Sequence, residues 1–189
     1  GPIIPRLWHD FKQTFSARPH SLHEVKASLE DAERNETDYI YLLKHHHDFL
    51  QESIGLLIDP YAEDYDKQWH LSRFLHLLSM HTRAEQETLY RNLSANEAKE
   101  ARLQGVAGTE EHTLMGQLAE ELYGLGFEDT WSEPIAAKAK VLALLVRQHM
   151  KEEETERCLE DAEMAALLRE YIHKCEGYLE VEMRPGYRL

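Results

Sequence analysis

The chain has 189 residues, of which 42% are hydrophobic, and it carries a formal net charge of −14 at pH 7. This length is typical of one domain with an ample core, and the strong negative charge excludes a protein that binds nucleic acid through a basic face. The chain has no apolar run of about 18 residues or more, no secretory signal pattern and only two cysteines, so we expect a cytoplasmic protein with no membrane partner.

The predicted elements are all helices, and two short ones come first. Apolar residues at helical spacing predict a helix over residues 3–15. A second is predicted at the capping box Ser21-Leu-His-Glu24, where a serine and a glutamate three residues apart bond free backbone N–H groups. We interpret residues 1–36 as short helices packed on the main domain. A mobile lid or a contact in a homodimer is the alternative.

Two longer helices follow, each with apolar residues three and four positions apart. The first runs from about Thr37 to Ile58 and ends at Asp59-Pro60, because the residue before a proline disfavours helical backbone. The second runs from about Asp66 to Leu93. Both present one apolar stripe, which predicts that they pack against a shared core.

The third predicted helix opens at the capping box Ser94-Ala-Asn-Glu97 and closes at Gly124-Leu-Gly126. The fourth opens at Ser132-Glu-Pro134, where proline is tolerated in the first turn. A fifth is predicted from a cap at Asp161. The predicted fold is all-α: an antiparallel up-down four-helix bundle over residues 37–160, with short extra helices at both termini and a C-terminal helix and tail over 161–189.

Each of the four long helices carries one histidine on its apolar stripe: His47, His81, His112 and His149. They lie 34, 31 and 37 residues apart, which is close to the roughly 30 residues that one bundle helix and its loop require. An antiparallel bundle would therefore bring all four to one level. Glutamates follow two of the histidines after four residues, on the same helix face; they are Glu85 and Glu153.

Four imidazoles and two carboxylates that meet inside a bundle make a site for two metal ions. A mixed set in which carboxylates can bridge two ions favours iron or manganese, with zinc as the main rival. Metal ions would also explain why two glutamates lie on core faces. No lysine or arginine on the same rows could neutralise these carboxylates.

The number of His–Glu pairs at this spacing is not evidence by itself. A chain with 12 histidines and 35 acidic residues contains about two such pairs by chance. The third pair, His20 and Glu24, follows Pro19 in a segment rich in serine and arginine, so we interpret it as a coincidence. Only the pairs on apolar stripes are assigned to the site.

Two ligand assignments have a rival in the sequence. His46 has an apolar stripe of its own and competes with His47, which we prefer because it continues the row of Leu43 and Leu50. Glu154 competes with Glu153. It lies about 140° round the helix from the histidine five residues earlier, so Glu153 is better placed.

This ordered pattern of H, HxxxE, H and HxxxE resembles the hemerythrin-like family, specifically its HHE cation-binding branch. The motifs stand here as LLKHHHDFL, MHTRAE, EEHTLMG and QHMKEE, and the segment DAEMAALL after the fourth helix is also similar; together they cover about residues 37–175. The resemblance implies two iron ions, bridged by an oxo or hydroxo group and by the two glutamates. Its ligands would be His47, His81, Glu85, His112, His149 and Glu153.

The chain departs from respiratory hemerythrins at the third helix. Those proteins have HxxxH there, whereas this chain has Gly116 four residues after His112. The missing histidine implies an open metal position beside Met115 and Gly116 for an exogenous ligand. The alternative is that the glycine only allows close helix packing. Respiratory hemerythrins also end with HxxxxD, where this chain has HxxxE. Family members that repair iron–sulfur clusters carry an N-terminal domain with cysteine, whereas residues 1–36 contain no cysteine.

The leading hypothesis is a cytoplasmic di-iron protein that binds or responds to O2, NO or peroxide as a carrier, sensor or scavenger. Its partner would be a small diatomic ligand. The second hypothesis is a di-iron redox enzyme or repair protein, and the third is an iron-storage or iron-sensing module. We favour a non-enzymatic role, and a homodimer stays open.

Overall fold

The computed structural model describes residues 21–35, 39–156 and 158–183, and within them every regular element is a helix. The elements are α1 (Leu22–Asn35), α2 (Tyr39–Leu57), α3 (Asp64–Glu85), a π-helical turn (Gln86–Tyr90), α4 (Arg91–Ser94), α5 (Lys99–Gly124), α6 (Glu133–Thr155) and α7 (Asp161–Glu182). The all-α class is therefore confirmed for this part of the chain. The helix predicted over residues 3–15 lies outside the described residues.

Three predicted helix boundaries are confirmed by their local hydrogen bonds. The backbone N–H of Ser21 donates to the Glu24 carboxylate at 3.0 Å, and the N–H of Glu24 donates to the Ser21 hydroxyl at 3.3 Å, which is a capping box. Ser132 accepts from the N–H of Ile135 at the start of α6. α5 ends at Gly124, and Gly126 has φ of 68°, a conformation that glycine adopts without strain.

The second long helix runs from Asp64 to Ser94, close to its predicted bounds, with the π-helical turn inside it. Two predicted caps, at Ser94 and Asp161, are wrong in position. Ser94 ends α4 instead of capping α5, and the side chain of Asn96 accepts from the N–H of Ala98 in the connecting turn. Asp161 is the first residue of α7 rather than its cap.

The four helices that carry the candidate ligands share one core. α2 packs against α3 and α6, α5 packs against α6, and α3 also contacts α5. α7 lies against α3 and the π-helical turn, and α1 lies against α2 and α7. Buried apolar side chains fill the space between them, including Leu50, Ile54, Phe74 and Val146. No described helix has both the length and the apolar character needed to cross a membrane.

Candidate metal centre

The six predicted ligands lie in two overlapping groups. One contains His47, His81, Glu85 and Glu153, and the other contains Glu85, His112 and His149. In each group, one nitrogen or oxygen atom per residue lies within 4.8 Å of the corresponding atoms of the others. Five of the six residues are at most 2% exposed, and His112 is partly buried. Each group could hold a metal ion, and Glu85 belongs to both.

In the first group, imidazole nitrogens face the two carboxylates. Nε2 of His81 lies 2.7 Å from Oε1 of Glu85 and 3.7 Å from Oε1 of Glu153. Nε2 of His47 lies 3.7 Å from the same Glu153 oxygen. The α3 pair of His81 and Glu85 is one helical turn apart, which is why both side chains reach this point from one helix.

The second group uses the other oxygen of Glu85. Its Oε2 lies 2.9 Å from Nε2 of His112 and 3.2 Å from Nε2 of His149. Nε2 of His149 also lies 3.1 Å from Oε1 of Glu153. The two oxygens of Glu85 therefore face different histidines, an arrangement that allows one carboxylate to contact two ions.

All four histidines are oriented in the same way, with Nε2 toward the carboxylates and Nδ1 held by a further side chain. The Nδ1 partners are the carboxylate of Glu154 for His47, the hydroxyl of Tyr171 for His81, the amide oxygen of Gln86 for His112 and the carboxylate of Glu111 for His149. An oxygen that accepts from Nδ1–H leaves the lone pair of a neutral imidazole on Nε2, where a metal ion can use it.

Several buried polar atoms of the site form no hydrogen bond of good geometry with a described residue, although four of them lie within ion-pair distance of one another. They are Nε2 of His47 and of His81, Oε1 of Glu85 and both carboxylate oxygens of Glu153. Buried polar atoms are normally paired, because leaving one unsatisfied costs about 1–3 kcal/mol. Five such atoms on four neighbouring residues fit a centre whose partners are metal ions, and the donor set suits this chemistry.

Charges inside the site shift its pKa values. Burial lowers the pKa of His81, but the charges of Glu85 and Glu153 outweigh it and raise this pKa to about 9. Burial likewise opposes protonation of His149, but Glu153 and Glu111 raise its pKa above the ordinary value. For Glu85, burial is outweighed by the charge of His81, and the pKa of this carboxyl lies well below its usual range. Protonated imidazoles therefore neutralise the carboxylates in the absence of a metal ion.

The two rival ligands occupy other places. His46 is buried with its ring centroid 5.5 Å from that of Tyr171, and it is in neither group. Burial, followed by the charge of His81, lowers its pKa well below the ordinary value. Glu154 lies at the edge of the site, where its carboxylate contacts Nδ1 of His47. Geometry thus favours His47 and Glu153, and their ligation of metal stays a prediction.

A groove of about 440 Å³ runs between α3 and α5 and reaches the candidate centre. His112, Met115 and Gly116 line it, with Thr82 on the facing helix. A Cβ atom placed on Gly116 would have no other atom within 4 Å. Close helix packing therefore does not require this glycine, and the alternative interpretation of Gly116 is wrong.

Tyr90, which was not predicted from the sequence, is brought to the centre by the π-helical turn. Its hydroxyl lies 3.3 Å from Nε2 of His149, and its ring is edge-on to that of His112 with centroids 5.0 Å apart. A Cβ on Gly108 would lie 2.2 Å from Cε1 of Tyr90, so only glycine leaves room for the ring. The four contacts to Nδ1 atoms, including that of Tyr171, were not predicted from the sequence either.

The arrangement offers four imidazole nitrogens and two carboxylates, most of them buried, with a groove at the side of His112. Comparisons of the chain with protein-family models, with curated proteins and with solved structures found no match. The chemistry of the centre is therefore inferred from its own residues.

Proposed function

We propose that this chain is a hemerythrin-like protein, with an antiparallel four-helix bundle formed by α2, α3, α5 and α6, that holds two iron ions and binds or responds to O2, NO or peroxide. The observation that carries this proposal is the convergence of six buried side chains in two groups that share Glu85. Two histidines serve each ion, and Glu85 and Glu153 lie between them. The ordered motif pattern supports the family assignment.

The choice of iron rests on the donor set. Zinc sites usually hold a single four-coordinate ion, whereas two carboxylates shared by four imidazoles suit a pair of ions that tolerate mixed nitrogen and oxygen donors. Manganese would accept the carboxylates equally well but binds less tightly to imidazole in the general affinity order of divalent metals. When bound, iron supplies electrons and an exchangeable coordination position to a small ligand.

The protein's own residues prepare the site for this role. Glu154, Gln86 and Glu111 hold three Nδ1 atoms, so the corresponding Nε2 atoms point inward before any ion arrives. Burial excludes bulk water from the carboxylates, while the groove beside Met115 and Gly116 gives a small molecule a path to His112. This combination favours a protein that admits a small ligand at the side of His112.

Anaerobic reconstitution with Fe(II), followed by optical spectra on addition of O2 and of NO, tests the proposal. We expect iron-dependent absorption that changes with each gas. Glu153→Gln should reduce both the iron content and the spectral response, whereas Glu133→Gln, at an exposed residue of α6, should leave them intact. Iron-loaded protein with no response to either gas would contradict the proposal, and repeated turnover with a reductant would assign a redox enzyme instead.

A further inference from the structure

Two buried tyrosines contact histidines of the candidate centre, but through different ring nitrogens. The hydroxyl of Tyr171 contacts Nδ1 of His81, the ring atom turned away from the carboxylates. The hydroxyl of Tyr90 instead lies 3.3 Å from Nε2 of His149. That nitrogen is the atom that faces Glu85 and Glu153, at 3.2 and 3.1 Å. Tyr90 is therefore directed into the place where an ion of the second group would lie.

The backbone holds Tyr90 in this position. It is the last residue of the π-helical turn that starts directly after Glu85. The extra residue in this turn rotates the position of the tyrosine about the helix axis. Gly108 of α5 leaves room for the ring, since a Cβ there would lie 2.2 Å from Cε1 of Tyr90. Tyr90 itself is 2% exposed. A π-helical turn and one glycine thus accommodate the buried ring.

The hydroxyl of Tyr90 loses its partner when an ion binds. Within the described part of the chain, its one hydrogen bond is to Nε2 of His149. An ion bound through Nε2 of His149 ends this hydrogen bond, because that nitrogen then has neither a proton to donate nor a free lone pair to accept with. A buried hydroxyl left without a partner is costly, and the nearest new partner is the ion itself.

We infer that Tyr90 is a seventh protein ligand, bound as a phenolate to the iron ion held by His112 and His149. This inference rests on the proposed function, because it concerns how that centre binds iron. On binding, the phenol O–H bond breaks, the oxygen keeps the electron pair and shares it with the ion, and the proton leaves to solvent water. No oxidation is involved. Tyr90 packs at Gly108, one turn before His112, so the side of His112 toward Gly116 stays open.

The visible spectrum of the ferric protein tests this inference, because a phenolate bound to Fe(III) gives a charge-transfer band that imidazole and carboxylate ligands do not give. The protein is loaded with Fe(II) without oxygen and then oxidised with ferricyanide. We expect the band in the wild-type chain and its complete loss in Tyr90→Phe. The matched control is Tyr65→Phe, which removes an exposed phenol near the start of α3 and should keep the band.

A second variant keeps the inference testable where Tyr90→Phe fails to fold. Tyr90→His replaces the phenol by an imidazole ligand, so it should retain iron and still lose the band. A wild-type protein that holds two ferric ions without the band overturns the inference and leaves the proposed function standing. The inference is also overturned if the band survives in Tyr90→Phe or disappears in Tyr65→Phe. A wild-type protein that binds no iron overturns both the inference and the proposed function.

Discussion

Nδ1 of His149 lies 3.1 Å from Oε2 of Glu111, a carboxylate on the neighbouring helix α5. The bond to His149, which outweighs the opposing effect of burial, lowers the pKa of Glu111. The glutamate is therefore a charged acceptor that fixes the ring of His149 and makes its other nitrogen a better metal ligand.

Glu111→Ala should weaken metal binding by about 10- to 100-fold, the usual cost of losing such a partner. The fold should persist, because the side chain of Glu111 is 23% exposed. Titration of the metal-free protein with Fe(II) under anaerobic conditions gives the affinity. Glu110→Ala, an exposed residue beside it, is the matched control. Equal affinities for the two variants would show that the contact does not act on the metal.

Gly116→His should supply a protein ligand where the groove now leaves space. An added Cβ meets nothing within 4 Å at this position, so the variant should fold. We expect it to retain iron and to suppress azide or NO binding, measured by optical titration. Gly116→Ala, which adds no donor, should bind both ligands as before. Unchanged ligand binding in the histidine variant would contradict an open position on this side of His112.

Removal of metal should lower thermal stability. Ions that bind only the folded state contribute RT ln(1 + [L]/Kd), or about 4 kcal/mol at a thousandfold excess of free metal over Kd. Melting curves of metal-free and reloaded protein at equal protein concentration measure the difference. Equal midpoints would mean that the centre does not bind metal tightly enough to matter to the fold.

Stability should also depend on pH through Glu176, which lies between α7 and α1. Burial, and then the charge of Glu33, raises the pKa of Glu176 from 4.5 to about 8. An acid with a raised pKa in the folded state stabilises the fold below its unfolded pKa, and this contribution is lost as the pH rises through about 8. We therefore expect the free energy of unfolding to fall between pH 5 and about 9.

Glu176→Gln should reduce this loss and should be more stable than the wild-type chain at high pH. The exposed Glu170 on the same helix offers the control variant Glu170→Gln, which should keep the wild-type dependence. Denaturant unfolding at a series of pH values makes the comparison. If Glu176→Gln follows the wild-type curve, the half-buried carboxyl is not the cause of the dependence.

The apolar stripes predicted most helices, and they also predicted that the candidate ligands point into the core, because burial follows helical periodicity directly. His47, His81 and His149 interrupt such stripes, so their inward orientation could be inferred from spacing alone. The same reasoning ranked His47 above His46 and Glu153 above Glu154. Periodicity predicts which residues face the core, but it does not predict whether they bind metal.

Periodicity also could not predict the π-helical turn, because a single extra residue per turn leaves no repeat in the sequence. Tyr90, five residues after Glu85, falls off the α-helical face and reaches the centre only through this turn. The contact of Tyr171 with His81 depends on how the fifth long helix packs on the other four. The Nδ1 partners Gln86 and Glu111 come from neighbouring helices, whose relative rotation no local pattern encodes.

The iron content of the protein after anaerobic loading and removal of free metal shows whether the six side chains bind iron. We predict two iron ions per chain for the wild-type protein. His47→Ala should contain less iron, and His46→Ala should equal the wild-type chain. A wild-type content near zero for iron, manganese and zinc alike, in protein never exposed to a chelator, would contradict the account.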